Sequence, residues 1–275
     1  MTIPMKWALR RRMMMAAVVS VDVSALSITY TGAYTDYGMV TMSDGARYRL
    51  LAFTASGTLS IEQPVNCEVC VVGGGANGSN AKSAGGAGGA GAYLKNQSVS
   101  AYNGGNVIVG AGQGVSSIAA DMSVSPVSGR HGGTGAGGNT AGTGDGISKY
   151  PFGDTGYSLW AGKPHCAGGG QGVHEWYYDI NTDKGYNGGN GGTNGGNGYP
   201  QGSSYVSNPS AGVGGSYGGG AGGNKTTNNG GNATYYGSGG GGGRYYSNPY
   251  SGVETFYNGG SGYQGIVYIR IPVIQ

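Results

Sequence analysis

The run Gly-Ser-Gly-Gly-Gly-Gly-Gly at residues 237–243 has no side chain larger than serine, so nothing in it can build an ordinary apolar core. The same composition recurs in GGGANG (73–78), GGAGGAG (85–91) and GGNGGTNGGNG (188–198), and 64 of the 275 residues are glycine. An average chain carries roughly 7% glycine. Glycine loses more backbone freedom on folding than any other residue. These segments are therefore either unstructured or held by backbone packed directly on backbone. Flexible Gly-rich linkers are filled with Ser, Pro, Glu and Lys. Here the spacers carry Tyr, Val and Ile, with 22 tyrosines in all and only 10% charged residues. That many aromatics need burial, which favours order. The ordered form open to glycine is the polyproline-II-like helix, three residues per turn with a rise of about 3.1 Å and no internal hydrogen bonds. Its N–H and C=O groups must then pair with neighbouring runs. Collagen is excluded, because strict G-X-Y is absent and nine prolines are too few.

Outside the runs, short segments enriched in β-branched and aromatic residues alternate with turn residues, and helical periodicity is missing. Strands are expected near 28–31, 38–42, 46–54, 57–62, 65–72, 92–96 and 106–112, and GIVYIRIPVI (265–274) reads as a buried closing strand. A sheet built from both chain ends would bracket the glycine-rich middle. One internal repeat stands out. YVSNPSAGVGGSYGGG from Tyr205 matches YYSNPYSGVETFYNGG from Tyr245 at an offset of 40 residues. Each Ser-Asn-Pro marks a turn that returns the chain into a glycine run.

The series RYRLLAFTASGTLSI, a strand ending VCVVGGG, interrupted glycine runs and a closing GIVYIRI resembles the glycine-rich domain of bacteriophage tail and virion adhesins. A related arrangement, a TNF-like β-sandwich joined to a glycine-rich module, occurs in certain receptor tyrosine kinase ectodomains. The likeness covers about residues 46–275. It implies a lattice of polyglycine II helices carried on β-strands, with variable loops at one end that contact a host surface.

The fold expected is all-β: a small β-sandwich or jelly-roll-like sheet bracketing a polyglycine II helix bundle. The division expected is a helical arm at 1–25, a sandwich part at 26–125 plus 263–275, and a glycine-rich region at 126–262 with a loop insertion at 145–187. In the arm, Arg10–Arg12 and Met13–Met15 give a basic, adaptable surface. Trp7 to Val19 is read as a retained helix docking on other virion proteins or on a second copy. A secretion signal, with Val23 and Ala25 as small cleavage-site residues, is the alternative.

The net charge of +3 does not point to nucleic acid. No apolar stretch is long enough to span a bilayer. Residues 73–78 match G-x-G-x-x-G, but no helix-forming sequence follows and no acid occurs between Glu68 and Asp121 to hold a ribose, so no nucleotide cofactor is expected. Cys67 and Cys70 form a C-x-x-C, and His165 adjoins Cys166; residues three apart on a strand face opposite ways, which opposes zinc chelation. Asp179, Asn181 and Asp183 place oxygens at alternate positions as calcium loops do, without the loop's sixth-position glycine or twelfth-position carboxylate. No catalytic constellation has supporting context, and no cofactor or enzymatic activity is expected.

The aromatic loops carry the functional expectation. Trp176, Tyr177, Tyr178, Tyr205, Tyr235, Tyr236, Tyr245, Tyr246 and Tyr250 sit among Ser, Gly and Asn, the composition of recognition surfaces. Rings of this kind also cap glycine runs that have no apolar core of their own. Both roles are expected. The expectation is a homo-oligomeric virion or extracellular protein, a tail-fibre adhesin touching a host glycan or surface protein. The alternative is an extracellular structural or receptor-ectodomain module without host recognition.

Overall fold

The computed structural model describes residues 21–81, 85–86, 88–89, 91–92, 94–112, 114–118, 122–124, 150–179, 182–187, 206–215 and 217–273. The expected arm helix, the run at 188–198 and Tyr205 lie outside them. The described residues are all-β, with one short 3-10 turn at Pro151–Gly153 and no α-helix.

The strands are β1 (Ile28–Tyr30), β2 (Tyr34–Thr41), β3 (Arg47–Phe53), β4 (Gly57–Val72), β5 (Leu94–Ile108), β6 (Ser116–Ile118), β7 (Met122–Val124), β8 (His174–Asp179), β9 (Thr182–Tyr186), β10 (Val206–Ser207), β11 (Tyr245–Asn248), β12 (Val253–Phe256) and β13 (Ile266–Pro272). An antiparallel sheet runs β2-β3-β13-β4-β5-β6-β7, with β1 added on β4. Closing strand β13 is thus inserted between β3 and β4, with Ile269 opposite Leu51 on one side and Val69 on the other. The two chain ends share one sheet, as the sequence led us to expect.

Alternation along the strands divides the core. Val267, Ile269 and Ile271 join Leu51, Phe53, Val69 and Val71 on one face, where Val23 and Leu26 also pack. Ile266 and Tyr268 join Leu50, Ala52, Cys70 and Val72 on the other, covered by Trp160 and Cys166. Both faces are therefore buried, which accounts for the near-continuous apolar run of β13.

The strands differ from the sequence reading in several places: β2 begins at Tyr34 rather than near 38, and β6, β7 and the five short strands β8–β12 fall where no strand was expected. The expected strands at 57–62 and 65–72 are the single strand β4, whose register shifts around Val65 absorb the missing N–H of Pro64. The segments expected at 92–96 and 106–112 are joined in β5. Its middle carries little apolar patterning because most of it is exposed, with Tyr102 the buried exception.

From the end of β4 the chain enters the glycine runs, and their hydrogen bonds follow a period of three. Along residues 237–245, the amides of Gly239, Gly242 and Tyr245 donate to Ala167, Gly170 and Val173. Those of Gly240 and Gly243 donate to Ala76 and Ser79, and those of Gly241 and Arg244 to Gly231 and Asn228. The carbonyls of the same run accept from three further segments: Gly86, Gly89 and Ala92; Gly220 and Gly223; and Tyr257, Gly260 and Tyr263. Residues 237–245 are buried throughout, surrounded by six described segments. The runs at 73–92 bond to these later runs rather than standing apart in the sheet region, and 166–173, inside the expected insertion, is itself one of the runs.

Candidate functional site

The direction of each run fixes which loops meet. Runs 73–81, 166–173 and 237–244 are parallel, whereas 85–92 and 257–263 run the other way. One end of the bundle therefore joins the large sheet, where β4 ends at Val72 and β13 begins at Ile266. The opposite end carries the turn at 224–228 and a second sheet ordered β10-β9-β8-β11-β12. This tip sheet continues the bundle's hydrogen bonds. The series from Gly239, Gly242 and Tyr245 passes directly into the parallel pairing of β11 with β8, in which Tyr245 lies opposite His174.

Charge is buried where bundle becomes sheet. Arg244, the last residue of the central run, forms an ion pair with Glu175 of β8, and both are buried. Its Nη1 donates to Asn228 Oδ1 at 2.8 Å, and its guanidinium lies 4.9 Å from the Tyr246 ring centre and 5.8 Å from that of Tyr257. Tyr245 is also interior, packed against His174 and Phe256, with its hydroxyl donating to Glu254 Oε1 at 3.1 Å.

The β11–β12 hairpin is exposed at the tip. Asn248 Oδ1 accepts from the amides of Tyr250 and Ser251, which holds the turn that carries Tyr250. Tyr250 is 77% exposed, with Val253 at 52% and Phe256 at 49% on the adjoining outer strand. The sequence reading singled out Tyr250 but missed Val253 and Phe256. Four residues flanked by turn chemistry, V-E-T-F, were the available signal.

Trp176, Tyr177 and Tyr178 lie on β8, in the tip sheet beside β11. Tyr246 and Tyr250 belong to the same end. The two repeat copies also meet there unequally: the second forms the whole β11–β12 hairpin, while the first contributes only β10 to the edge of β9. Asp179 and Asp183 belong to the β8–β9 hairpin, in which Asp179 pairs with Thr182 and Asp183 with Tyr177; Asn181 lies outside the described residues.

Tyr235 and Tyr236 are elsewhere. They occupy the turn entering run 237–244 at the large-sheet end, half-buried around His165 at ring distances of 4.9 Å and 6.1 Å. His165 is fully buried, its Nε2 lying 3.1 Å from the Tyr268 hydroxyl. Trp160 is also fully buried here against Tyr268. These rings cap the bundle where it meets the sheet.

Burial holds His165 down to about 3 from an ordinary 6.5. Below pH 6.5 the unfolded chain takes up a proton that the folded chain refuses, so stability falls as pH drops toward 3. Burial lowers His174 in the same direction. His165→Gln is therefore expected to flatten the loss of stability between pH 6 and 4, measured by urea titration across that window. An unchanged pH slope would remove His165 from the account.

Cys67 and Cys70 fall in the two different core clusters, on opposite faces of β4. Burial pushes the Cys67 thiol up to about 12 and Cys70 further, with Glu68 adding to the first and Cys166 to the second. The G-x-G-x-x-G at 73–78 opens an extended run whose Gly75 and Gly78 amides donate to Tyr263 and Gly260, leaving no helix N-terminus for a phosphate. Among the described residues no cluster of His, Cys, Asp or Glu could hold a metal ion, and no helix is long and apolar enough to cross a membrane. No protein-family model matches the chain, and no curated protein matches it.

Proposed function

We propose that this chain is a bacteriophage virion structural protein, a tail-fibre adhesin that touches the host surface with the β8–β12 tip. In this reading the glycine runs form a polyglycine II bundle, and the curled sheet at its other end is a jelly-roll-like base. The observation that carries the reading is run 237–245, with its three-residue period of donors and acceptors shared among six surrounding segments. Such a bundle is stiff, because each backbone group is held by a different neighbour. A stiff support ending in Tyr250, Val253 and Phe256 suits a recognition surface, since binding usually resides in loops held on a rigid scaffold. The partner is a host glycan or surface protein. The part of the expected 1–25 arm that precedes the core residue Val23 would dock on other virion proteins or on a second copy.

The test is adsorption of purified protein to a panel of bacterial cells. Tyr250→Ala, and separately Tyr178→Ala on β8, should weaken adsorption by roughly tenfold while melting as wild type does, the loss expected for an interface anchor. Undiminished adsorption by both variants would move these rings to a structural role. Absence of adsorption to any cell would favour the structural-module alternative.

A further inference from the structure

Run 257–263 lies on the flank of the bundle, and its seven successive amides follow a strict order. Tyr257, Gly260 and Tyr263 donate to the central run, at Arg244, Gly241 and Ser238. Between them, Asn258 and Ser261 donate to side chains of one neighbouring segment, Asn229 Oδ1 at 3.0 Å and Asn232 Oδ1 at 2.8 Å. Gly259 and Gly262 donate to the segment on the other side, Asn80 Oδ1 at 3.3 Å and Asn77 Oδ1 at 2.9 Å. The same two segments give backbone amides to this run: Gly75, Gly78 and Ala81 to Tyr263, Gly260 and Tyr257, and Gly230 and Ala233 to Asn258 and Ser261.

In an interior run, such as 237–245, the amides turn to backbone carbonyls of three surrounding segments. A run at the flank needs other acceptors for two amides in three. We infer that Asn77, Asn80, Asn229 and Asn232 terminate the hydrogen-bonded lattice on this flank, each supplying the acceptor that a further run would otherwise provide. Their spacing follows from the period: 77 with 80, and 229 with 232, each recur on the same side of a three-residue turn. All four asparagines are exposed, so a long side chain is tolerated there, and asparagine alone among neutral short residues combines reach with a carbonyl acceptor. The flank then leaves no backbone donor of run 257–263 open to another chain, which is the liability of any unpaired backbone edge.

Residue-resolved amide exchange on the full chain tests this. Asn77→Ala with Asn80→Ala should accelerate exchange at Gly259 and Gly262 by about tenfold, the loss of one modest hydrogen bond each, and leave Asn258 and Ser261 alone. Asn229→Ala with Asn232→Ala should do the reverse. In both, Gly260 keeps its protection through Gly241. Replacing the same asparagines by aspartate retains the acceptor and should retain the protection. Equal acceleration along all of 257–263, no acceleration in either pair, or loss of protection in the aspartate variants would each overturn the inference.

Discussion

Gly240→Val is expected to destabilise the chain by more than about 4 kcal/mol, a large fraction of the net stability of a domain. Gly240 is buried in the middle of the central run. A Cβ built there would meet the carbonyl group of Gly260 and come within 2.7 Å of the Ser261 carbonyl oxygen. Neither can yield independently. Gly260 is tied to Gly241 and accepts from Gly78, while Ser261 accepts from Ala233. Separating the runs by the width of a side chain would break several such bonds together, as a side chain does at the axis of collagen. Gly231→Ala is the control. It also lies in the bundle, but a Cβ there would approach nothing nearer than 3.2 Å, from the Ala221 nitrogen. Its melting should stay within about 1 kcal/mol of wild type. Denaturant unfolding of the two variants decides the matter. Similar stability in both would mean that close backbone approach does not support this region.

The centre of the large sheet was readable because β3, β13 and the end of β4 are buried on both faces, so apolar residues follow one another there. β3 and β13 match the expected segments to within a residue or two. β5 was split in the reading because a ladder needs only backbone, and its largely exposed middle offers only Val99, Ala101 and Tyr102 as apolar residues to announce it. Within the glycine runs, composition announces close backbone packing but not neighbours, since a glycine has no face. The three-residue asparagine spacing is a signal of neighbours, and it becomes interpretable only once Asn77 and Asn80 are seen across from Gly262 and Gly259.

The candidate site was legible in its parts and not in its grouping. Tyr235 and Tyr236 look like Tyr245 and Tyr246 in sequence, each a pair beside a glycine run. They lie at opposite ends of one run, 237–244, and only hydrogen-bond direction shows which end holds the tip sheet. Likewise the two Ser-Asn-Pro copies predict equivalent turns, yet only the second has a V-E-T-F segment to return as a strand. The first continues as S-A-G-V-G-G, straight into glycine.

Glu175→Ala is expected to cost about 3 kcal/mol, concentrated in the tip sheet. The pair Arg244–Glu175 is the charged junction between bundle and tip, and removing the carboxylate strands a guanidinium in a buried site. Asn228 and the Tyr246 and Tyr257 rings still surround Arg244, but none supplies a negative charge. The alternative of removing both charges is far milder, because the ions no longer have to be desolvated; Arg244→Met combined with Glu175→Leu should recover most of the loss. The location of the damage separates this from general destabilisation. β8 and β11 should lose amide protection in Glu175→Ala, while β3, β4 and β13, on the far side of the bundle, keep theirs. If the tip reads a host surface, adsorption should fall with the single variant and return with the double, tracking protection of β11 rather than overall melting. Uniform loss of protection across both sheets would show that the ion pair serves the whole bundle instead of anchoring the tip.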